Sequence, residues 1–175
     1  MKWQEILRGS VEYQYAVADN LMKMVDDSEL DWKPATGSNW MTVGQLLKHI
    51  TEACGLCFKG FVTGDWGFPD GVVDMKDLPP EALFPPAEKM PTVSSVEEAR
   101  KLLAEDKKVA IEMLDSCGND KLETEITKAP WDEMEFPLGQ RLFQMVMHLN
   151  QHKGQLFYYL KLQGKPVNTG HLWGD

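Results

Sequence analysis

Val43-Gly44-Gln45-Leu46-Leu47-Lys48-His49-Ile50-Thr51-Glu52-Ala53-Cys54-Gly55-Leu56-Cys57-Phe58-Lys59-Gly60-Phe61 carries the most regular apolar pattern in the chain. Val43, Leu46, Leu47, Ile50, Cys54, Cys57, Phe58 and Phe61 share one face through about five helical turns, which predicts one continuous amphipathic helix. Thr42 with Gln45 three residues later offers a capping box, so the helix should start near Val43. Gly64 is the expected stop.

Upstream, Trp3, Ile6, Leu7, Ala18, Leu21, Met24 and Val25 recur at three- and four-residue spacing and predict a first helix, ended by Asp26-Asp27-Ser28. Downstream, residues 65–93 hold Pro69, Pro79, Pro80, Pro85, Pro86 and Pro91, six of the ten prolines, which argues against regular helix. Such an excursion suits a crossover or a wall over a site. Ser94 with Glu97, or Ser95 with Glu98, then opens a third helix through Val96, Ala99, Leu102, Leu103, Ala110, Met113, Leu114 and Cys117, with its end expected at Gly118-Asn119. Residues 120–137 are mixed. Leu138, Leu142, Met145, Val146, Leu149, Leu156 and Leu160 define a long fourth helix, closed by Gly164 and Pro166. Four amphipathic helices without a convincing strand pattern predict an all-α, four-helix bundle. A long Pro/Gly-rich connection joins its second and third helices, and residues 1–175 are expected to form a single domain.

Composition excludes more than it names. The chain has 175 residues, 26% charged and 43% hydrophobic. With 18 Lys+Arg against 27 Asp+Glu the net charge is −9, and no basic block offsets it, so nucleic acid is not an expected partner. No apolar run approaches the roughly 20 residues that span a bilayer, and Met1-Lys2-Trp3-Gln4-Glu5 lacks the apolar block of a signal peptide. The expectation is a soluble, cytoplasmic protein away from membranes. Three cysteines, Cys54, Cys57 and Cys117, fit reduced thiols better than disulfides.

The four histidines are His49, His148, His152 and His171. Residues four apart on a helix stand nearly above one another, so His148 and His152 can aim two imidazoles at one point. His152 falls within the apolar stripe of Met145, Leu149 and Leu156, with His148 on its flank. His49 lies at the edge of the second helix's stripe, where it can meet a neighbouring helix. Spacing alone fits either a metal site or a hydrogen-bonded polar network in the core.

Leu142-Phe143-Gln144-Met145-Val146-Met147-His148-Leu149-Asn150-Gln151-His152-Lys153-Gly154-Gln155-Leu156, with Gly164-Lys165-Pro166 beyond it, resembles the H-x3-H-x2-Q signature on the last helix of the DinB-like (DinB/YfiT) metalloenzyme superfamily. Leu46-Leu47-Lys48-His49-Ile50 resembles that family's second-helix histidine. The order of elements and Trp40-Met41-Thr42 also fit, so the similarity covers most of the chain. The resemblance implies a four-helix bundle binding a divalent metal through three histidines, here His49, His148 and His152. It also implies kinship with transferases that use thiols such as bacillithiol or mycothiol, beside many members without an assigned activity. Despite the family's name, it gives no reason to expect a DNA-binding surface.

Three neutral imidazoles leave a divalent ion an open position, the pattern of a catalytic rather than a closed structural site. A water there would lose a proton near neutral pH and a thiol would become a thiolate, so the site suits hydrolysis or thiol transfer on a small electrophilic substrate. Nitrogen ligands favour Zn or Ni, with Fe, Co or Mn also compatible. The rival reading is a non-catalytic metal-binding or sensing bundle, which a fourth protein ligand would favour. Aromatic-rich loops are compatible with a homodimer.

No catalytic residue beyond the ligands is assigned by the sequence. Glu52, three residues after His49, and Gln155, three after His152, can each orient a ligand or move a proton, or simply be solvated. Cys54-Gly55-Leu56-Cys57 matches a redox CxxC, yet both thiols fall in the middle of an apolar stripe, so core packing is expected. Trp66, Phe68, Trp131, Phe136 and Trp173 can line a pocket or cover the core. His171 is expected in solvent, outside the site.

Overall fold

The computed structural model describes residues 2–68, 78–79 and 85–174. Among them run α1 (Trp3–Met22), α2 (Val43–Ile50), α3 (Gly55–Thr63), α4 (Val96–Asp115), α5 (Asn119–Thr124), α6 (Leu138–Leu162) and α7 (Thr169–Trp173). Single 3-10 turns occur at Asp27–Glu29 and Ala87–Lys89. Two three-residue strands, β1 (Ile126–Lys128) and β2 (Glu135–Pro137), pair antiparallel with Thr127 opposite Phe136. The protein is mostly helical, and this hairpin is its departure from the all-α expectation. No helix of the described residues is long and apolar enough to cross a membrane.

The apolar stripes find one another. α1 packs on α4 and α6, while α2 and α3 pack between α6 and α4. Leu7, Val11, Leu21, Leu46, Leu47, Ile50, Leu114, Leu142, Leu149 and Leu156 are fully buried in one cluster. Each such side chain contributes about 1.5–3 kcal/mol by leaving water, before the entropy of ordering it. The capping box expected at α2 forms in full, while at α4 only its Ser95 half does, the Glu98 carboxylate accepting instead from Ser94. Thr42 Oγ1 accepts from the Gln45 amide while the Gln45 side chain accepts from the Thr42 amide, and Ser95 Oγ accepts from the Glu98 amide at the start of α4.

The second helix departs from its expected course. It is two helices, because residues 51–54 leave the helical path and α3 restarts at Gly55. The cause lies on α4. The buried carboxylate of Asp106 accepts from the Gly55 amide at 2.9 Å, from the Leu56 amide at 2.8 Å and from the Tyr15 hydroxyl at 2.6 Å. It thus satisfies two amides that α3 leaves without helical acceptors, and it sits at the positive end of that helix. Position 55 must be glycine for this approach, since a Cβ there would collide with the Asp106 carbonyl and stand 2.7 Å from Oδ1. At the far end of α3, Gly64 adopts φ 79° and closes the helix in the left-handed conformation.

Other boundaries shift by less. α1 ends at Met22, and α4 ends at Asp115, leaving Gly118 to start the short α5 rather than to stop the long helix. The buried Arg141 on α6 ties the hairpin loop to the core. Its guanidinium donates to both carboxylate oxygens of Asp132 and to the Met134 carbonyl, and it lies 4.7 Å from the centre of the Phe136 ring. The expected irregular course of residues 65–93 lies partly outside the described residues. Its return is anchored by the Gln45 amide, which donates to the carbonyls of Ala87 at 2.7 Å and Met90 at 2.9 Å.

Candidate metal centre

The last turn of α2 carries His49, and the middle of α6 carries His148 and His152 one turn apart. The two helices run in opposite directions. His49 therefore meets His152, while Ala53, further along the chain, meets His148. Nε2 of His49 lies 3.0 Å from Nε2 of His152 and 3.3 Å from Nε2 of His148. One ring nitrogen from each residue falls within 4.8 Å of the other two, and all three side chains are half-buried. The rings meet edge to face, with centroids 4.3–5.2 Å apart.

These separations test whether a divalent ion fits. Bonds of about 2.0–2.1 Å from an ion to imidazole nitrogens set neighbouring ligands about 2.9–3.4 Å apart, the octahedral and tetrahedral limits. Both distances from His49 fall within that range. The donors are also in the right state. Burial, with the neighbouring His152 and His148 adding to it, lowers the pKa of His49 to about 4. Burial likewise lowers His148 and His152. At neutral pH all three rings are uncharged and offer lone pairs. The group could therefore hold a divalent metal.

Two of the rings are oriented from behind. Nδ1 of His148 bonds the Ala53 carbonyl at 3.1 Å, and Nδ1 of His152 bonds Oε1 of Gln155 at 3.1 Å. A donor Nδ1–H leaves Nε2 as the ligand nitrogen, the arrangement metal-binding imidazoles use. Gln155, left open between solvent and site by its spacing, belongs to the site. Glu52, just past the end of α2, does not: its carboxylate pairs with Lys48. His171 stands apart, bonded to Asn168 in the cap of α7.

The cysteine reading changes in place but not in character. Cys54 lies in the break before α3 rather than in the middle of a helix stripe, and it is fully buried. Burial, with the Asp106 carboxylate reinforcing it, raises the Cys54 thiol and pushes Cys57 up to about 12. Phe61, Trp66 and Trp131 pack edge to face at 4.8–5.8 Å, so they cover core at the end of α3. Trp173 is 62% exposed. Sequence reading missed Ala53, Tyr159, Tyr15 and Asp106. For Asp106 the signal was present, since three residues after Leu103 and four before Ala110 it places an acid on the apolar stripe itself.

A mostly helical protein with three histidines facing one another from two antiparallel helices is the class that fold and site define. The family model described as DinB superfamily matches residues 11–156, and the chain belongs to that superfamily. The fold is similar to the crystal structure of a DinB-like protein from Bacillus cereus, with a TM-score of 0.66 over 94% of this chain and 95% of that one at 20% identity. No curated protein sequence matches the chain.

Proposed function

We propose that this chain is a metal-dependent enzyme, a thiol transferase or hydrolase acting on a small electrophilic substrate, with His49, His148 and His152 holding a divalent ion. The observation that carries the reading is the pair of Nε2 separations, 3.0 and 3.3 Å, among imidazoles kept neutral by burial. A divalent ion held there would acidify a coordinated water or thiol near neutral pH and so supply a nucleophile. The chain's own contribution is to fix the three nitrogens and to keep them unprotonated. Ala53 and Gln155 hold two of the rings in the ligating orientation. Among the described residues no fourth His, Cys, Asp or Glu joins the group, which leaves room for an exogenous ligand. Zinc or nickel suits this donor set best, and the superfamily's thiol-using branches suggest a low-molecular-weight thiol as co-substrate.

The test is to load the protein with zinc or nickel and incubate it with aryl halide and activated ester probes, with and without several small thiols. Metal-dependent conjugate or hydrolysis product is the expected result. Equal turnover by demonstrably metal-free protein would overturn the mechanism. Tight metal binding without product on any probe would favour the non-catalytic, metal-sensing bundle.

A further inference from the structure

Behind His152 runs a chain of hydrogen bonds with a fixed direction. Nδ1 of His152 meets Oε1 of Gln155 at 3.1 Å, Nε2 of Gln155 meets the Tyr159 hydroxyl at 3.2 Å, and that hydroxyl meets the Met41 carbonyl at 3.0 Å. A carbonyl can only accept, so the Tyr159 hydroxyl spends its single proton on Met41. It then has only lone pairs for Gln155, whose amide must turn its NH2 toward Tyr159 and its oxygen toward His152. That oxygen requires a proton on Nδ1 of His152 and leaves Nε2 as the bare nitrogen facing His49.

We infer that Tyr159 is a positioning residue: acting through Gln155, it sets the tautomer of His152 and with it the readiness of the three-histidine group for an ion. The inference rests on the metal-site reading of that group. Tyr159 is built for the task. It is 2% exposed, and the edges of Trp32 at 5.4 Å and Trp40 at 6.2 Å hold its ring. Met41 directly precedes Thr42, the cap of α2, so the relay begins at the root of the helix that carries His49. The group's two helices are thereby referenced to one hydroxyl.

Tyr159→Phe keeps the ring packing and deletes the polarity, and Gln155→Leu interrupts the same relay at a partly exposed position. The measurement is nitrogen-15 NMR of the histidine rings in metal-free protein, at a pH where they are neutral, alongside zinc affinity. His152 should carry its proton on Nδ1 in the wild type. Both variants should populate the other tautomer and lose about 10–100-fold in zinc affinity. His148, set by Ala53 instead, should keep its tautomer and serve as the internal control for folding. A His152 protonated on Nε2 in the wild type, or one unchanged in both variants, overturns the inference. Because the tautomer is read without metal, failure of zinc to bind the wild type would fault the metal-site reading while leaving the relay separately decided.

Discussion

Nδ1 of His148 lies 3.1 Å from the carbonyl oxygen of Ala53, inside the break between α2 and α3. In an unbroken helix that carbonyl would accept from the amide four residues on. The break frees it for the imidazole, so one irregularity both ends α2 and orients a histidine.

Asp106 sustains that break, and Asp106→Ala tests it. The substitution strips an acceptor from the Gly55 and Leu56 amides and from the Tyr15 hydroxyl, and leaves Gly55 only the Tyr15 oxygen as acceptor. The unfolding free energy should drop by about 2–4 kcal/mol in urea denaturation. A change under about 0.5 kcal/mol would mean that Asp106 does not hold the start of α3.

The histidines themselves should be measured by metal content. Protein reloaded after anaerobic purification should hold about one divalent ion per chain. His148→Ala or His152→Ala should weaken binding by more than about 100-fold, whereas His171→Ala should leave it unaltered. Unchanged affinity in the first two variants would remove the site.

The second helix shows where sequence reading stopped. Its start was legible because Thr42 and Gln45 are local to the cap, and the same holds for Ser95 and Glu98 at α4. Its break was not, because the apolar spacing from Val43 to Phe61 runs straight through it while the cause, Asp106, lies 51 residues beyond Gly55. The β1–β2 hairpin escaped because three residues per strand give too little alternation to register against two nearby prolines. His148 and His152 were legible as a pair through their four-residue spacing. That His49 joins them depends on the antiparallel run of α2 and α6, which spacing within one helix does not encode.

Stability of the metal-free protein should depend on pH in a definite direction. The folded-state pKa of His49, about 4, lies below the ordinary value of 6.5, so the folded chain takes up the proton less readily than the unfolded one. Such a group supports the fold above its unfolded value and loses that support as pH falls toward the folded one. Urea titrations from about pH 7.5 to about pH 4 should therefore show a loss of up to about 3 kcal/mol from His49. His148 and His152 act in the same direction. A flat profile through that interval would contradict the assigned burial.

Cys54 and Cys57 should be slow to react with a thiol reagent at neutral pH, since the thiolate is the reactive form and both thiols are held well above their ordinary values. Modification should track unfolding and accelerate in denaturant. Rapid labelling of both in the native protein would show that the break between α2 and α3 admits solvent.

His49 and His148 stand 99 residues apart along the chain. On the proposed reading, an ion joining them is a clasp that closes a loop of that length, and no short peptide carrying His148 and His152 can reproduce it. Loop closure of this size is entropically demanding in the unfolded chain. The complete ligand set therefore exists only where the protein is already folded, and occupancy and folding are linked equilibria. Free ion at about 100 times its Kd should add about 2.7 kcal/mol to the unfolding free energy. The supply of the ion then sets the margin by which the chain stays folded, as well as how many of its sites are filled.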